Sequence, residues 1–266
     1  MTLGRFSLMA TVLLSFCAAA SAGPVTQILD TNSYNFALSD GGGGAQATIN
    51  KGLSVEIFCV DFANDIYVPV QGYTAYLTPI TQAGLNTGDT RFGLVGSGDF
   101  SQISLGGDTT DAGTINTASN LGRYQMAAFL VSQYNLSNNT AQIQQQNNGI
   151  QQAIWDILDP GTFPLFTTAA TTSEIEAAAQ WYTSMGGNAG STTLTNFLAN
   201  YRIVSSSVMT PCTSGPGAGT GLLCGGFQEQ ITAVPEPRHL ALMLVGLLLV
   251  GSVVVRKFRT AQRAGA

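Results

Sequence analysis

Histidine is almost missing from the sequence: the single one in 266 residues is His239, at the edge of a long apolar run near the C-terminus. A Ser-His-Asp or Cys-His relay and a multi-histidine metal site are thereby excluded. Charge is scarce as well. Only 9% of residues are Asp, Glu, Lys or Arg, against a usual share of about 25%, so Gly, Ser, Thr, Asn and Gln must cover the surface. Between Gly23 and Val234 four basic residues (Lys51, Arg91, Arg123, Arg202) face fourteen acidic ones, a net charge of −10. That balance argues against nucleic acid and anionic lipid surfaces as partners of this stretch. Hydrophobic residues, by contrast, make up 45%, enough for a substantial core.

The two ends read as export and sorting signals. Residues 1–22 have the form of a signal peptide: Arg5 supplies the positive start, Phe6 to Ala19 the apolar stretch, and Ala20-Ser21-Ala22 the small-residue cleavage site before Gly23. The apolar stretch falls short of the ~20 residues that span a bilayer. Cys17 is discarded with it, since bulky Phe16 stands where a lipoprotein signal needs a small residue. Residues 234–266 begin with Pro235-Glu236-Pro237, continue as an apolar run over 240–255, and end in Arg256, Lys257, Arg259 and Arg263. Prolines forbid helix before the run, and cations after it hold the tail in the cytoplasm. Sixteen residues at ~1.5 Å rise cover only about 24 Å, a marginal span.

This tripartite ending resembles the PEP-CTERM sorting signal of Gram-negative bacteria, processed by a membrane transpeptidase of the exosortase type. The resemblance covers the last thirty or so residues and makes Pro235, Glu236 and Pro237 the recognition motif. It implies passage through the inner membrane, then residence at the cell surface or in an extracellular, biofilm-type matrix. The alternative from the same residues is an ordinary single-pass anchor.

Residues 23–233 predict one α+β domain, a β-sandwich or barrel with an inserted helical block. Alternating runs at Ser54 to Val60 and Tyr73 to Leu77, within a Gly- and Asn-punctuated stretch from Val25 to about Leu105, predict strands. Helical spacing follows over Leu121 to Tyr134 and over Thr140 to Leu158, the latter stopped by Asp159-Pro160-Gly161. A third helix is predicted from Ser173, three residues before Glu176 as in a capping box, to about Met185. Strands return at Tyr201 to Met209 and Phe227 to Thr232. The glycines 41–44 form a turn, since no phosphate-loop lysine follows them. The carboxylate pairs Asp61 with Asp65 and Asp108 with Asp111 read as acidic surface turns, without calcium-loop spacing. No cofactor, metal or enzymatic activity is predicted.

Cysteine is where chemistry remains. Three of the four lie beyond the signal segment: Cys59, Cys212 and Cys224. Cys212 and Cys224 bracket a Gly-, Ser- and Pro-rich loop, which in an oxidising compartment invites a disulfide contributing about 3 kcal/mol. Cys59 is left alone in an apolar strand, where the plain reading is a small buried hydrophobe. Yet Phe58-Cys59-Val60-Asp61 is followed some ninety residues later by Ile150-Gln151-Gln152-Ala153-Ile154-Trp155. This pairing resembles the thioester domains of Gram-positive surface adhesins. There an aromatic-Cys motif on a strand and a Thr-Gln-x-Ala-Ile-Trp motif on a helix join into an intramolecular thioester. The resemblance makes Cys59 the thiol partner, Gln151 the acyl partner, and Phe58, Ala153, Ile154 and Trp155 the supporting residues. Ile150 stands where the family often has Thr. The implied partner is an amine-bearing surface protein or matrix, joined through an amide.

Overall fold

The computed structural model describes residues 24–33, 43–49, 53–61, 73–87, 89–92, 109–136, 140–158, 168–187, 190–211, 223–226 and 228–233. The signal segment, Cys212, the Pro235-Glu236-Pro237 motif and the 240–255 run lie outside these residues, as do Asp65 and Asp108. Among the described residues no helix is long and apolar enough to cross a membrane.

The molecule is α+β. Six strands, β1 (Pro24–Ser33), β2 (Gly44–Ile49), β3 (Leu53–Cys59), β4 (Tyr73–Pro79), β5 (Tyr201–Ser206) and β8 (Gln230–Ala233), make one curled antiparallel sheet. Its order is β1-β2-β3-β8-β5-β4, and β1 pairs back onto β4 so that the ring closes. Two short strands, β6 (Thr210–Pro211) and β7 (Leu223–Cys224), pair apart from it and align Thr210 with Cys224. The side chain of Cys224, like all of Cys212, falls outside the described part.

Alternation places the strand side chains. In β3, Val55 and Ile57 are buried while Ser54 and Glu56 face out, the period-2 signature of a half-buried strand. Val55 and Ile57 join Ala45, Ala47, Ile49, Tyr73, Ala75 and Val204 in one core inside the curl. Phe58, Ile203 and Ile231 belong to a second, larger core shared with the helices.

That helical block is inserted between β4 and β5. It comprises α1 (Gln82–Leu85), α2 (Thr109–Thr117), α3 (Asn120–Ser132), α4 (Ala141–Leu158), α5 (Ala169–Ser184) and α6 (Thr192–Leu198). Helix α3 starts where Ser119 accepts a hydrogen bond from the Gly122 amide, satisfying one of the free first-turn amides. It is buried on most of its circumference, from Gly122 to Ala128 and again at Leu130 and Val131, which marks it as the central helix. Arg123 on α3 donates to the Ile157 carbonyl in the last turn of α4 at 2.8 Å, a favourable place for a cation. Burial pushes its pKa down to about 10. Helix α4 approaches α5 closely at Gly149, where a Cβ would sit 3.0–3.3 Å from atoms of Ala170.

Some boundaries depart from the sequence-based expectations. Helix α5 begins four residues before Ser173, because Thr168 and not Ser173 accepts from a free amide, that of Thr171, at 3.1 Å. The strand expected to reach Met209 stops at Ser206 in a turn over 207–208, and β8 starts at Gln230. Asp61 does not sit in a surface turn: it is fully buried and ion-paired with Arg91.

Candidate functional site

Cys59 ends β3 and is buried at 3% exposure, outside any disulfide. Gln151 lies in the middle of α4 and is fully buried. The packing of α4 against the end of β3 brings the two side by side. The Gln151 carboxamide nitrogen donates to the Cys59 carbonyl oxygen at 2.7 Å. That carbonyl can only accept, so the orientation of the amide follows: its nitrogen faces Cys59 and its oxygen faces away. The oxygen, Oε1, accepts from the Tyr134 hydroxyl at 2.6 Å.

The sulfur is held from two further directions. Trp155 Nε1 donates to Cys59 Sγ at 3.3 Å, and the thiol itself donates to the Asp61 carbonyl at 3.2 Å. Asn147, Gln151 and Trp155 are four residues apart in turn, so they form one stripe along α4. All three are buried. Ile150, Ala153, Ile154 and Ile157 lie beside and behind this stripe and join the helical core. Ala153 and Ile154 anchor the helix in that core, and Trp155 is the residue that donates to the sulfur. Phe58 stacks on Tyr134 with ring centroids 4.6 Å apart and planes at 28°, and it closes the site from the strand side.

Two residues here carry no motif. Tyr134 follows the C-terminal end of α3, and Asn147 holds the segment after it: the Asn135 amide donates to Asn147 Oδ1 at 3.1 Å, and Asn147 Nδ2 donates to the Asn135 carbonyl at 3.0 Å. The polar stripe at positions 147, 151 and 155 was the available signal for Asn147. For Tyr134 there was none, because an aromatic at a helix end looks like ordinary core. Burial, and after it the charge a thiolate at Cys59 would carry, raises the Tyr134 hydroxyl pKa well above the usual tyrosine value.

Behind the site lies a buried ionic cluster. Asp61 pairs with Arg91, whose guanidinium also donates to the Gly225 carbonyl at 2.9 Å. Glu229, fully buried, accepts from Tyr124, from the Arg91 amide at 2.6 Å and from Ser205 at 2.7 Å. Burial raises its pKa, with the hydrogen bonds of Tyr124, Arg91 and Ser205 and the Arg91 charge pulling the other way. Among the described residues no group of His, Cys, Asp and Glu is placed to hold a metal ion. A surface cavity of about 430 Å³ lined by Pro79, Gln125, Tyr182, Leu194 and Arg202 lies elsewhere and shares no residue with the Cys59 and Gln151 contact.

Comparison with family models, with curated proteins and with solved structures gives no match for this chain.

Proposed function

We propose that this is an exported cell-surface adhesion or matrix-attachment protein, not an enzyme, whose domain joins Cys59 and Gln151 in an intramolecular thioester. The observation that carries the reading is the seating of the Gln151 carboxamide against Cys59, with its oxygen on a hydroxyl donor and the sulfur on an indole donor. An amide and a thiol held in this way form an acyl donor on losing one ammonia. A lysine-type amine then opens it and leaves the protein attached through an amide. The finer architecture, a barrel interrupted by a helical block, suits this use, because the strand brings the thiol and the inserted helix the acyl group. Burial of both residues keeps water from the bond.

The terminal signals give the setting. A signal peptide over 1–22 and a PEP-CTERM-type segment over 234–266 would place residues 23–233 outside a Gram-negative inner membrane. An exosortase-type enzyme then passes them to the surface or matrix. A disulfide between Cys212 and Cys224 fits that oxidising compartment.

A non-reactive structural matrix protein is the second reading, and one observation favours it: both polar atoms of the Gln151 amide already have partners, as in a settled core. One experiment separates the readings. Protease applied to spheroplasts should release peptides in which Cys59 and Gln151 are linked and one ammonia lighter than their sum, and Cys59→Ala or Gln151→Ala should abolish the link. Unlinked peptides of full mass would leave the structural reading. No release, with cytoplasmic markers intact, would remove the exported placement itself.

A further inference from the structure

We infer that Tyr134 is the catalytic proton-bearing donor of the Cys59 and Gln151 reaction, aimed by Asn147; the inference rests on the thioester reading above. In thioester closure the Cys59 sulfur adds to the Gln151 carboxamide carbon and the carbonyl electron pair moves onto Oε1. The Tyr134 hydroxyl already donates to that oxygen at 2.6 Å, just short of the range of about 2.7–3.1 Å at which donors stabilise an oxyanion. The C–N bond then breaks. The nitrogen leaves as ammonia, taking up the proton given up by the thiol, so thiol plus carboxamide yields thioester plus ammonia. Opening runs over an analogous tetrahedral intermediate, with the incoming amine in place of the departed ammonia: a primary amine adds to the carbon, the C–S bond breaks, and the proton lost by the amine restores the thiol. The oxyanion forms twice on one atom, and one donor serves both.

Three observations single out Tyr134 for this task. No other side-chain donor to Oε1 stands among the described hydrogen bonds of the site. Its pKa lies well above the usual value, so the hydroxyl remains protonated and acts as a donor, not a base. It is also held. Phe58 stacks on the ring, and Asn147 grips both backbone groups of the next residue, Asn135. Asn147 and Gln151 are one turn apart on α4, so the helix that carries the acyl group also fixes the segment that carries its donor. Tyr134, Asn135 and Leu136 are half-buried where Cys59, Gln151 and Trp155 are buried, so an incoming amine meets the site on the Tyr134 side.

The test follows methylamine incorporation at Gln151 in the full-length chain, by peptide mass, for wild type, Tyr134→Phe, Asn147→Ala and the double variant. Tyr134→Phe keeps the ring on Phe58 and should slow incorporation by about 10²-fold, the effect of removing one oxyanion donor. A folded Tyr134→Phe chain that retains the Gln151 ammonia supports the same assignment, folding being checked by circular dichroism and melting temperature. Asn147→Ala should slow the reaction by about tenfold through loss of alignment, and add nothing in the Tyr134→Phe background. A purely structural Asn147 would slow both backgrounds alike, and that result would remove its positioning role. If wild type loses ammonia and Tyr134→Phe reacts within about twofold of it, Tyr134 is no catalyst and the thioester reading stands. If wild-type Gln151 keeps its ammonia, both fall.

Discussion

In the proposed thioester the leaving group is the Cys59 sulfur, so at residue scale its reactivity depends on the donors around that sulfur. Trp155 gives it one N–H at 3.3 Å, and a hydrogen bond to a charged acceptor is worth about 1.5–3 kcal/mol. Trp155→Phe keeps the ring's bulk and removes that donor. Methylamine opening should then slow by about tenfold or more, the rate equivalent of the lower figure, while the amount of thioester formed at long times changes little. An unchanged opening rate would make Trp155 a packing residue only. Cys59, Gln151 and Trp155 were legible in the sequence because each stands in a short run with its own chemistry. Tyr134, Arg91 and Glu229 were not. Each is a single residue in an unremarkable stretch, and what gives it a role is a partner between 17 and 138 positions away in the chain. Asp61 shows the same gap: beside Cys59 it reads as a surface acid until Arg91 arrives from another segment to pair with it.

At the scale of elements, the start of α5 separates local from tertiary determinants. Ser173 and Glu176 have capping-box spacing, yet Ser173 is exposed inside the helix, and the cap is Thr168. Its oxygen takes the Thr171 amide at 3.1 Å and shares a hydrogen bond with the Thr171 hydroxyl at 2.6 Å; that hydroxyl also reaches Gln152 Oε1 on α4 at 2.6 Å. The cap and the helix contact are therefore one structure. Thr168→Ala should lower stability by about 1 kcal/mol, whereas Ser173→Ala should be neutral or slightly stabilising, as Ala is the better helix former. Urea unfolding of the two variants decides this, and a larger loss at Ser173 would restore the later helix start. Helices α3 and α4 were legible almost to the residue because their apolar spacing is long and continuous. Helix α2, Thr109–Thr117, was not: its sequence, TTDAGTINT, has little apolar periodicity, and among its described side chains Ile115 is the one large group that is fully buried. Helices that short form by packing on neighbours, which no local pattern announces.

For the molecule as a whole, Glu229 is one of the residues that tie sheet to helices. Its carboxylate is met by Tyr124 from α3, the Arg91 amide from the 89–92 segment and Ser205 from β5, and its own carbonyl accepts the Val60 amide at the end of β3 at 3.0 Å. Arg91 continues the chain of contacts to Asp61, and the Asp61 carbonyl accepts from the Cys59 thiol. The site therefore rests on this cluster. Burial is the largest influence on Glu229, and it raises the pKa above the usual 4.5, so the folded state binds its proton more tightly than the unfolded chain does. Stability from that proton is fully present below pH about 4.5 and is lost as pH rises through the raised value. Glu229→Gln keeps the size and removes the titration. The unfolding free energy of wild type minus that of Glu229→Gln should accordingly be greatest near pH 4 and fall as pH rises above about 4.5. The fluorescence of Trp155 and Trp181, the chain's two tryptophans, reports the unfolding of the helical block in urea at each pH. A difference that grows with pH instead would mean that Glu229 stabilises the fold as an ionised acceptor for Arg91, with its pKa held below the unfolded value.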